Sequence, residues 1–377
     1  MNAHCTDFIP PDFSRDVHCV FGLPFDAITE AEAEQKLRRA IFERQRCFMS
    51  TPNLNFAVAC LSDAAFRASV LQSDLILADG WPVIAYARLS DTRLPERVAG
   101  STLFERIRAS PVRPPLSVYF FGGPNGAAQT ASQQLAAANG GVKCVGFEAP
   151  GFGSIEDMST DEQIGRINGA QPDMLVLALG AKKGQAWIQH NLTRLDVPVV
   201  SHLGAVVNFV AGSVRRAPGW VQSVGLEWLW RVREEPTLWR RYASDGAALL
   251  RLLTQRAMRW ASHPQLKAAN PAAYANARIV VQHAEHTTRI VLTGPWTQEN
   301  SAAVRAEFSK LSARQDAVTI DMAGVTHLDS ASIGLMALLY GWQLKLNRSW
   351  EIVNPSVSAR HALRMAHAEY LLGSTAG

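Results

Sequence analysis

Leu116-Ser-Val-Tyr-Phe-Phe-Gly-Gly-Pro-Asn-Gly126 is the stretch on which the fold turns. An uninterrupted apolar run stops at a glycine-rich turn and passes into the helical stretch Ala127 to Ala137. Continuous apolar character marks a strand covered on both faces, and a strand leading into a helix is half of a parallel crossover unit. The unit recurs on both sides of this stretch. Upstream, a helix from about Glu30 to Glu43 precedes an apolar strand near Phe48, and a helix through Leu61 leads to the short strand Leu75-Ile-Leu-Ala78. Downstream come Val142-Lys-Cys-Val145, Met174-Leu-Val-Leu-Ala-Leu179 and Val197-Pro-Val-Val200, each ended by glycine or a polar loop. This order predicts an α/β fold with a parallel sheet under helices. Ligands of such sheets bind just beyond the carboxyl ends of the strands.

At 377 residues the chain has room for two or three domains of about 150 residues each. Apolar residues make up 47% and charged residues 19%, a balance that favours extensive burial over disorder. Thirty-seven Lys and Arg against 33 Asp and Glu leave a formal charge of +4, too little to point to nucleic acid. The charge is uneven: Arg215 to Arg259 holds nine Arg, no Lys and four acids, a local +5. The five cysteines (Cys5, Cys19, Cys47, Cys60, Cys144) have no CxxC or ligand-like spacing, as expected of reduced thiols rather than bridges or a structural metal. No cofactor motif is present. The first twenty residues lack an apolar signal region and no run of about 18 apolar residues occurs, which predicts a cytoplasmic chain that does not span a membrane.

From Glu227 to Trp260 the periodicity is helical, with Arg251, Gln255 and Arg259 recurring opposite Leu249, Leu253, Ala257 and Trp260, the pattern of an amphipathic helix. Ser262 to Tyr274 loses that period and contains two prolines, which reads as a linker. A second α/β unit begins near Ala277, with strands at Arg278 to Val281, Arg289 to Leu292 and Val318 to Asp321, and helices from about Ser301 to Leu311 and after Ser330.

Three loops carry candidate chemistry. Asp79-Gly80 sets a carboxylate at a strand end, where it serves either as a general base or as a cap of the next helix. Thr51-Pro52-Asn53 ends the neighbouring apolar run, placing a hydroxyl and an amide beside Asp79 or forming an ordinary Asn turn. The turn at Gly122, Gly123, Asn125 and Gly126 offers backbone N–H groups to a diphosphate, but it has neither the dinucleotide fingerprint nor the Lys of a P-loop.

The order of these elements resembles the WecG/TagA/CpsF family of bacterial glycosyltransferases (family 26) from about Gly22 to Tyr242. The matching signatures are Leu23-Pro-Phe-Asp26, Thr51-Pro-Asn53, Asp79-Gly80, Arg97-Val-Ala-Gly100, Phe121-Gly-Gly123, Leu179-Gly-Ala181 with Trp187-Ile188, Gly204-Ala205, Ala211-Gly212, Arg216-Ala-Pro218, and Gly225-Leu-Glu-Trp-Leu229 followed by Glu235-Pro236 and Arg240-Arg-Tyr242. The resemblance implies a Rossmann-like domain and an inverting, metal-independent transfer of a hexose or N-acetylhexosamine. The donor would be a UDP-sugar and the acceptor a polyprenyl-diphosphate-linked saccharide, in exopolysaccharide or other surface-polysaccharide assembly. On matching positions, Asp79 would be the base, with Thr51 and Asn53 orienting sugar or acceptor. Gly122, Gly123 and Asn125 would contact the nucleotide half of the donor, and Gly80, Gly180 and Gln185 would bind substrate. Arg97, Arg231, and Arg240 or Arg241 would stabilise the departing UDP in place of a metal, the last two being equally readable as solvated surface charges.

The chain also departs from the family pattern. Family members commonly read Gly-Ala-Pro-Lys-Gln-Glu where this chain has Gly180-Ala-Lys-Lys-Gly-Gln185. Asn208, Thr102 and Thr237 likewise stand where Asp, Asp and Arg are usual. Two readings follow: an active enzyme with an altered sugar, or a catalytically weak nucleotide-sugar-binding regulator. Intact Asp79 and Thr51 favour the first. Trp220, Trp228, Trp230, Trp239 and Trp260 interleave with Arg in a pattern suited to the anionic inner face of the cytoplasmic membrane, implying peripheral attachment, or else they form the core of a capping helix.

Val318-Thr-Ile-Asp-Met-Ala-Gly-Val-Thr-His-Leu-Asp-Ser-Ala-Ser-Ile-Gly-Leu335 and Trp350-Glu-Ile-Val-Asn-Pro355 resemble STAS domains, named for sulfate transporters and anti-sigma-factor antagonists. That resemblance implies docking of a protein partner, with Ser330 a phosphorylation candidate or a helix cap. The expected division is an N-terminal extension over 1–21, a Rossmann-like glycosyltransferase domain over 22–226, a basic helical appendage over 227–262, a linker over 263–276 and a STAS domain over 277–377.

Overall fold

A computed structural model describes residues 9–90, 92–110, 113–138, 140–223, 225–262 and 271–373. The side chains of 222, 223, 259–262, 271 and 272 fall outside that description, as do the first part of the expected linker and Cys5.

The chain enters through a hairpin that its sequence does not announce. β1 (Val17–Val20) pairs antiparallel with β2 (Leu23–Asp26), and the turn between them puts Phe21 and Gly22 at φ 52° and 73°, the backbone of a two-residue primed turn. The more familiar Asn-Gly signal is absent. α1 (Glu30–Phe42) follows, started by a capping box between Thr29 and Glu32.

The apolar runs then form the six-stranded sheet. β3 (Cys47–Ser50), β4 (Leu75–Ile76), β5 (Leu116–Gly122), β6 (Val142–Glu148), β7 (Met174–Ala178) and β8 (Val199–His202) lie in the order β4-β3-β8-β7-β5-β6. All neighbours are parallel. The connections are α2 (Leu54–Ser62) and α3 (Ala64–Leu71) after β3, then α4 (Trp81–Leu89) and α5 (Gly100–Ala109) after β4. α6 (Ala127–Ala138), α7 (Asp161–Gly169), α8 (Ala181–Asn191) and α9 (Gly204–Val210) follow β5 to β8 in turn. One face of the sheet packs on α1, α5, α6 and α9 through Leu37, Leu103, Ala131 and Val207. The other packs on α2, α3, α4, α7 and α8 through Phe56, Val70, Ile84, Ile164 and Trp187. The helices after the adjacent strands β3 and β8 therefore leave on opposite faces, and a crevice opens between their carboxyl ends.

α10 (Gly219–Ser223), α11 (Glu227–Glu234) and the long α12 (Trp239–Ser262) complete this part. α12 lays Leu249, Leu252 and Leu253 against the core around α2, and Asn55 donates to Asp245 at 2.9 Å. Those three leucines are thus covered by the chain itself, while Trp220, Trp228 and Trp239 stay 69%, 45% and 56% exposed.

The C-terminal part has a four-stranded sheet in the order β12-β11-β10-β9, formed by β9 (Arg278–Ala284), β10 (Thr287–Trp296), β11 (Ala317–Leu328) and β12 (Trp350–Val353). α13 (Ala302–Arg314), α14 (Ser330–Lys345) and α15 (Val357–Met365) accompany it. Most of α14 is buried on every side, which an amphipathic surface helix never is. The reason is a second partner. Phe13, Val17 and Cys19 join the core of this C-terminal sheet, and the Gly22 N–H donates to Ala366 O at 2.7 Å. At Gly334 and Gly341 of α14 an added Cβ would press on Val17 O and Leu71 O, so the backbones touch. The division expected between residues 21 and 22 falls in the hairpin turn, and the hairpin is shared by both sheets.

Candidate active site

Asp79 follows β4 at the carboxyl edge of the sheet, its N–H donating to Pro52 O at 3.1 Å. It is not a helix cap. Gly80, at φ 116°, occupies the N-cap of α4 and makes no side-chain cap bond. Burial pushes the Asp79 carboxyl up to about 7. Arg97 opposes that rise, Glu227 reinforces it, and Arg216 and Glu30 act in the same two senses more weakly. A carboxyl near 7 is poised to accept a proton at neutral pH.

Thr51 directly follows β3 at the crevice, where its methyl and hydroxyl sit 3.2 Å from the place a Cβ on Gly100 would take. Only a glycine at the start of α5 lets that helix reach both Thr51 and Leu203. Asn53 has another job: its side-chain carbonyl accepts from Phe56 N at 3.1 Å and caps α2.

The glycine turn after β5 is built by close approach. Gly122 and Gly123 have φ 93° and 97°, and a Cβ on Gly122 would lie 2.9 Å from Ala178 O. The Gly123 N–H donates to Ala178 O at 2.8 Å, so it is not offered to a diphosphate. Asn125 and Gly126 are exposed beside it. Gly180, at φ 79°, caps α8 after β7. Gln185 is wholly buried, its Nε2 donating to Ser50 Oγ at 2.8 Å, while its Oε1 has no partner. It braces Ser50, the last residue of β3.

The cations divide. Arg97 forms a close ion pair with Glu227, brought over the site by α11. Arg216 donates to Thr102 Oγ1 at 2.5 Å and its Nε is buried without a partner. Arg231 pairs with Glu235 at 2.5 Å, lies 5.4 Å over the Phe209 ring and likewise keeps a buried Nε unpartnered. Arg240 and Arg241 are exposed on α12, stacked on Trp239 and Tyr242; their described contacts are with those rings and not with the cleft.

Sequence reasoning did not single out Glu227, Arg216 or His202 for the site. The Arg216-Ala-Pro218 signature carried the signal for Arg216. His202 ends β8 with its ring against Gly184, where an added Cβ would run into Cδ2. Burial brings it down to about 4, so the imidazole is neutral, and its Nε2 has no partner. The Gly184 departure is thus filled by His202. Asn208 Oδ1 is a further buried acceptor without a partner. Unsatisfied buried polar atoms at the carboxyl ends of β7 and β8 are what a polar ligand would satisfy.

The region has relatives. Proteins named N-acetylglucosaminyldiphosphoundecaprenol N-acetyl-beta-D-mannosaminyltransferase are similar to it. The one from Bacillus subtilis (strain 168) is 27% identical over 219 residues, 58% of this chain and 83% of the relative. That from Bacillus spizizenii is 25% identical over 202 residues, 54% and 77% of the two chains. That from Staphylococcus aureus (strain MW2) is 21% identical over 225 residues, 59% and 85%. Residues 279–373 match the Mlab STAS domain. With residues 18–262 matching the glycosyl transferase WecG/TagA/CpsF family, around an Asp79 set at the mouth of the crevice, the chain belongs to that family of glycosyltransferases and carries a STAS domain behind it.

Proposed function

We propose that the chain moves a hexose or N-acetylhexosamine from a UDP-sugar to the saccharide of a polyprenyl diphosphate, with inversion and without a metal, in surface-polysaccharide assembly. The observation that carries this reading is Asp79, raised to about 7 by burial against the opposing pull of Arg97 and Arg216. The carboxylate takes the proton of the acceptor hydroxyl as its oxygen bonds to the anomeric carbon. The bond from that carbon to the diphosphate oxygen breaks and UDP leaves with the electron pair. Arg216 and Arg231, with free Nε donors, meet the developing charge. Arg97 contributes less while Glu227 neutralises it. The relatives' names, which specify a diphosphoundecaprenol-linked acceptor, support the acceptor class.

Among the described residues no helix is long and apolar enough to cross a membrane. A lipid-linked acceptor then requires the protein to visit the membrane surface. The exposed Trp220, Trp228 and Trp239 on the Arg-rich appendage suit peripheral attachment to an anionic inner leaflet. The STAS domain supports docking of a protein partner, and at the start of α14 the phosphorylation candidate Ser330 already has a partner. There Asp329 caps the helix, and the Ser330 hydroxyl lies 2.9 Å from His18 Nδ1 in the hairpin. Phosphorylation at Ser330 would have to part that contact first.

Incubating the protein with UDP-sugars and a short polyprenyl-diphosphate-GlcNAc acceptor tests the reading. UDP release that needs both substrates and falls at least a hundredfold in Asp79→Asn is the expected result. UDP binding without turnover in wild type would favour the regulator.

A further inference from the structure

The outermost strands of an open sheet carry unpaired backbone, and each such edge accepts another strand unless something blunts it. In the two larger sheets three edges are blunted. β4 has two residues and β12 four. Trp350 of β12 is also tied to the end of the chain, its Nε1 donating to Leu371 O at 2.9 Å. β6 carries a bulge at Val145, which has no partner in β5 between the paired Cys144 and Gly146, and an exposed Lys143. Bulges and edge lysines both deter pairing.

β9 has none of these devices. Its seven residues pair with β10 in unbroken register and include no Pro, Gly or Lys. The turn Glu285-His286 closes on Ala284 and Thr287, a pair that in a two-residue hairpin exchanges both its hydrogen bonds. Alternation then turns Gln282, Val280 and Arg278 towards β10, and it turns the N–H and C=O of Ile279, Val281 and His283 outward. Among the described residues no other backbone group bonds to those three. Val280 is 51% exposed.

This edge is complementary to itself. Setting Val281 opposite Val281 of an antiparallel second copy puts Ile279 opposite His283 on both sides, so every outward residue meets an outward residue and each pair exchanges two hydrogen bonds. The same register carries Arg278 to the turn that holds Glu285 of the other copy. Both side chains are exposed and have no ion pair among the described residues. The two Arg278 residues end up about 20 Å apart, and no like charges stand opposite one another, which would disfavour pairing.

We propose that two copies of the chain pair through β9 about a two-fold axis at Val281, joining their C-terminal sheets into one. The contact is independent of the transfer reaction proposed above. Sedimentation velocity of the full chain from about 1 to 100 μM tests it. The expected mass rises from one chain to two, with a midpoint on the order of 10 μM because a single strand pair makes a small interface. Val280→Lys should weaken the dimer at least tenfold and, at about 1 μM, keep the wild-type melting temperature, since the position is exposed. Val281→Pro removes an outward N–H and no bond to β10, and should weaken it as much. Arg278→Glu should weaken it about fivefold, and Arg278→Glu/Glu285→Arg should restore the wild-type value. A chain that stays monomeric to about 100 μM, a dimer of unchanged affinity in Val280→Lys, or no recovery in the double reversal would each overturn the proposal.

Discussion

Replacing Glu227 by Gln should shift the acidic limb of the kcat/KM profile to lower pH. Asp79 is raised from 3.8 to about 7 mainly by burial, with Glu227 pushing the same way and Arg97 pulling it down. Glu227 acts twice, once as a like charge near Asp79 and once by holding the Arg97 guanidinium in an ion pair. Glutamine removes the first effect and releases Arg97 towards Asp79, so both changes favour the ionised base. A charged neighbour shifts a carboxyl by about one unit or more, which places the variant's limb near pH 6. At that pH about a tenth of the wild-type base is ionised against about half in the variant, a gain of about fivefold in kcat/KM. Near pH 8 the base is ionised in both, and the advantage disappears. Initial rates of UDP release at subsaturating donor from pH 5.5 to 9 would measure it. A limb that stays in place, or moves to higher pH, would refute the electrostatic coupling of Glu227, Arg97 and Asp79.

The same carboxyl links to stability. Its folded value lies above the unfolded one, so the folded chain holds that proton more tightly, and the stability this confers is lost as pH rises from 3.8 through about 7. Asp79→Asn should therefore be more stable than wild type at pH 8, by on the order of 2 kcal/mol after allowance for partial solvent access; equal urea midpoints at pH 8 would contradict the buried carboxylate. Gly184→Ala must displace the His202 ring, costing about 1–3 kcal/mol, and adding His202→Ala should recover most of it; no recovery would mean that the ring is not what fills the space. A double-mutant cycle on His18→Ala and Ser330→Ala, read by urea unfolding, should give a coupling of about 1 kcal/mol, and additive effects would separate hairpin from α14. Trp228→Ala/Trp239→Ala should reduce co-sedimentation with anionic vesicles about tenfold, whereas unchanged binding would remove the membrane reading.

The α/β class, the strand order along the chain and the position of Asp79 at a strand end were legible because each rests on local signals. Apolar runs such as Met174 to Leu179 fix a doubly covered strand wherever they occur, and glycine at 80 or 122 marks a backbone turn in the sequence itself. STAS and transferase motifs are likewise contiguous. Longer strands than expected, such as β11 running to Leu328, reflect pairing with β10 that no single segment reveals.

What only the tertiary structure decided are contacts between residues far apart in the chain. Glu227 reaches Arg97 because α11 folds over the crevice, and His202 fills the space at Gly184 because β8 and α8 are neighbours. The β1–β2 hairpin gives α14 a second covered face, turning an expected tethered module into one seated on the transferase. Composition and periodicity report how each segment buries its own apolar face. Which charge neutralises which, and what a glycine makes room for, depend on packing across hundreds of residues.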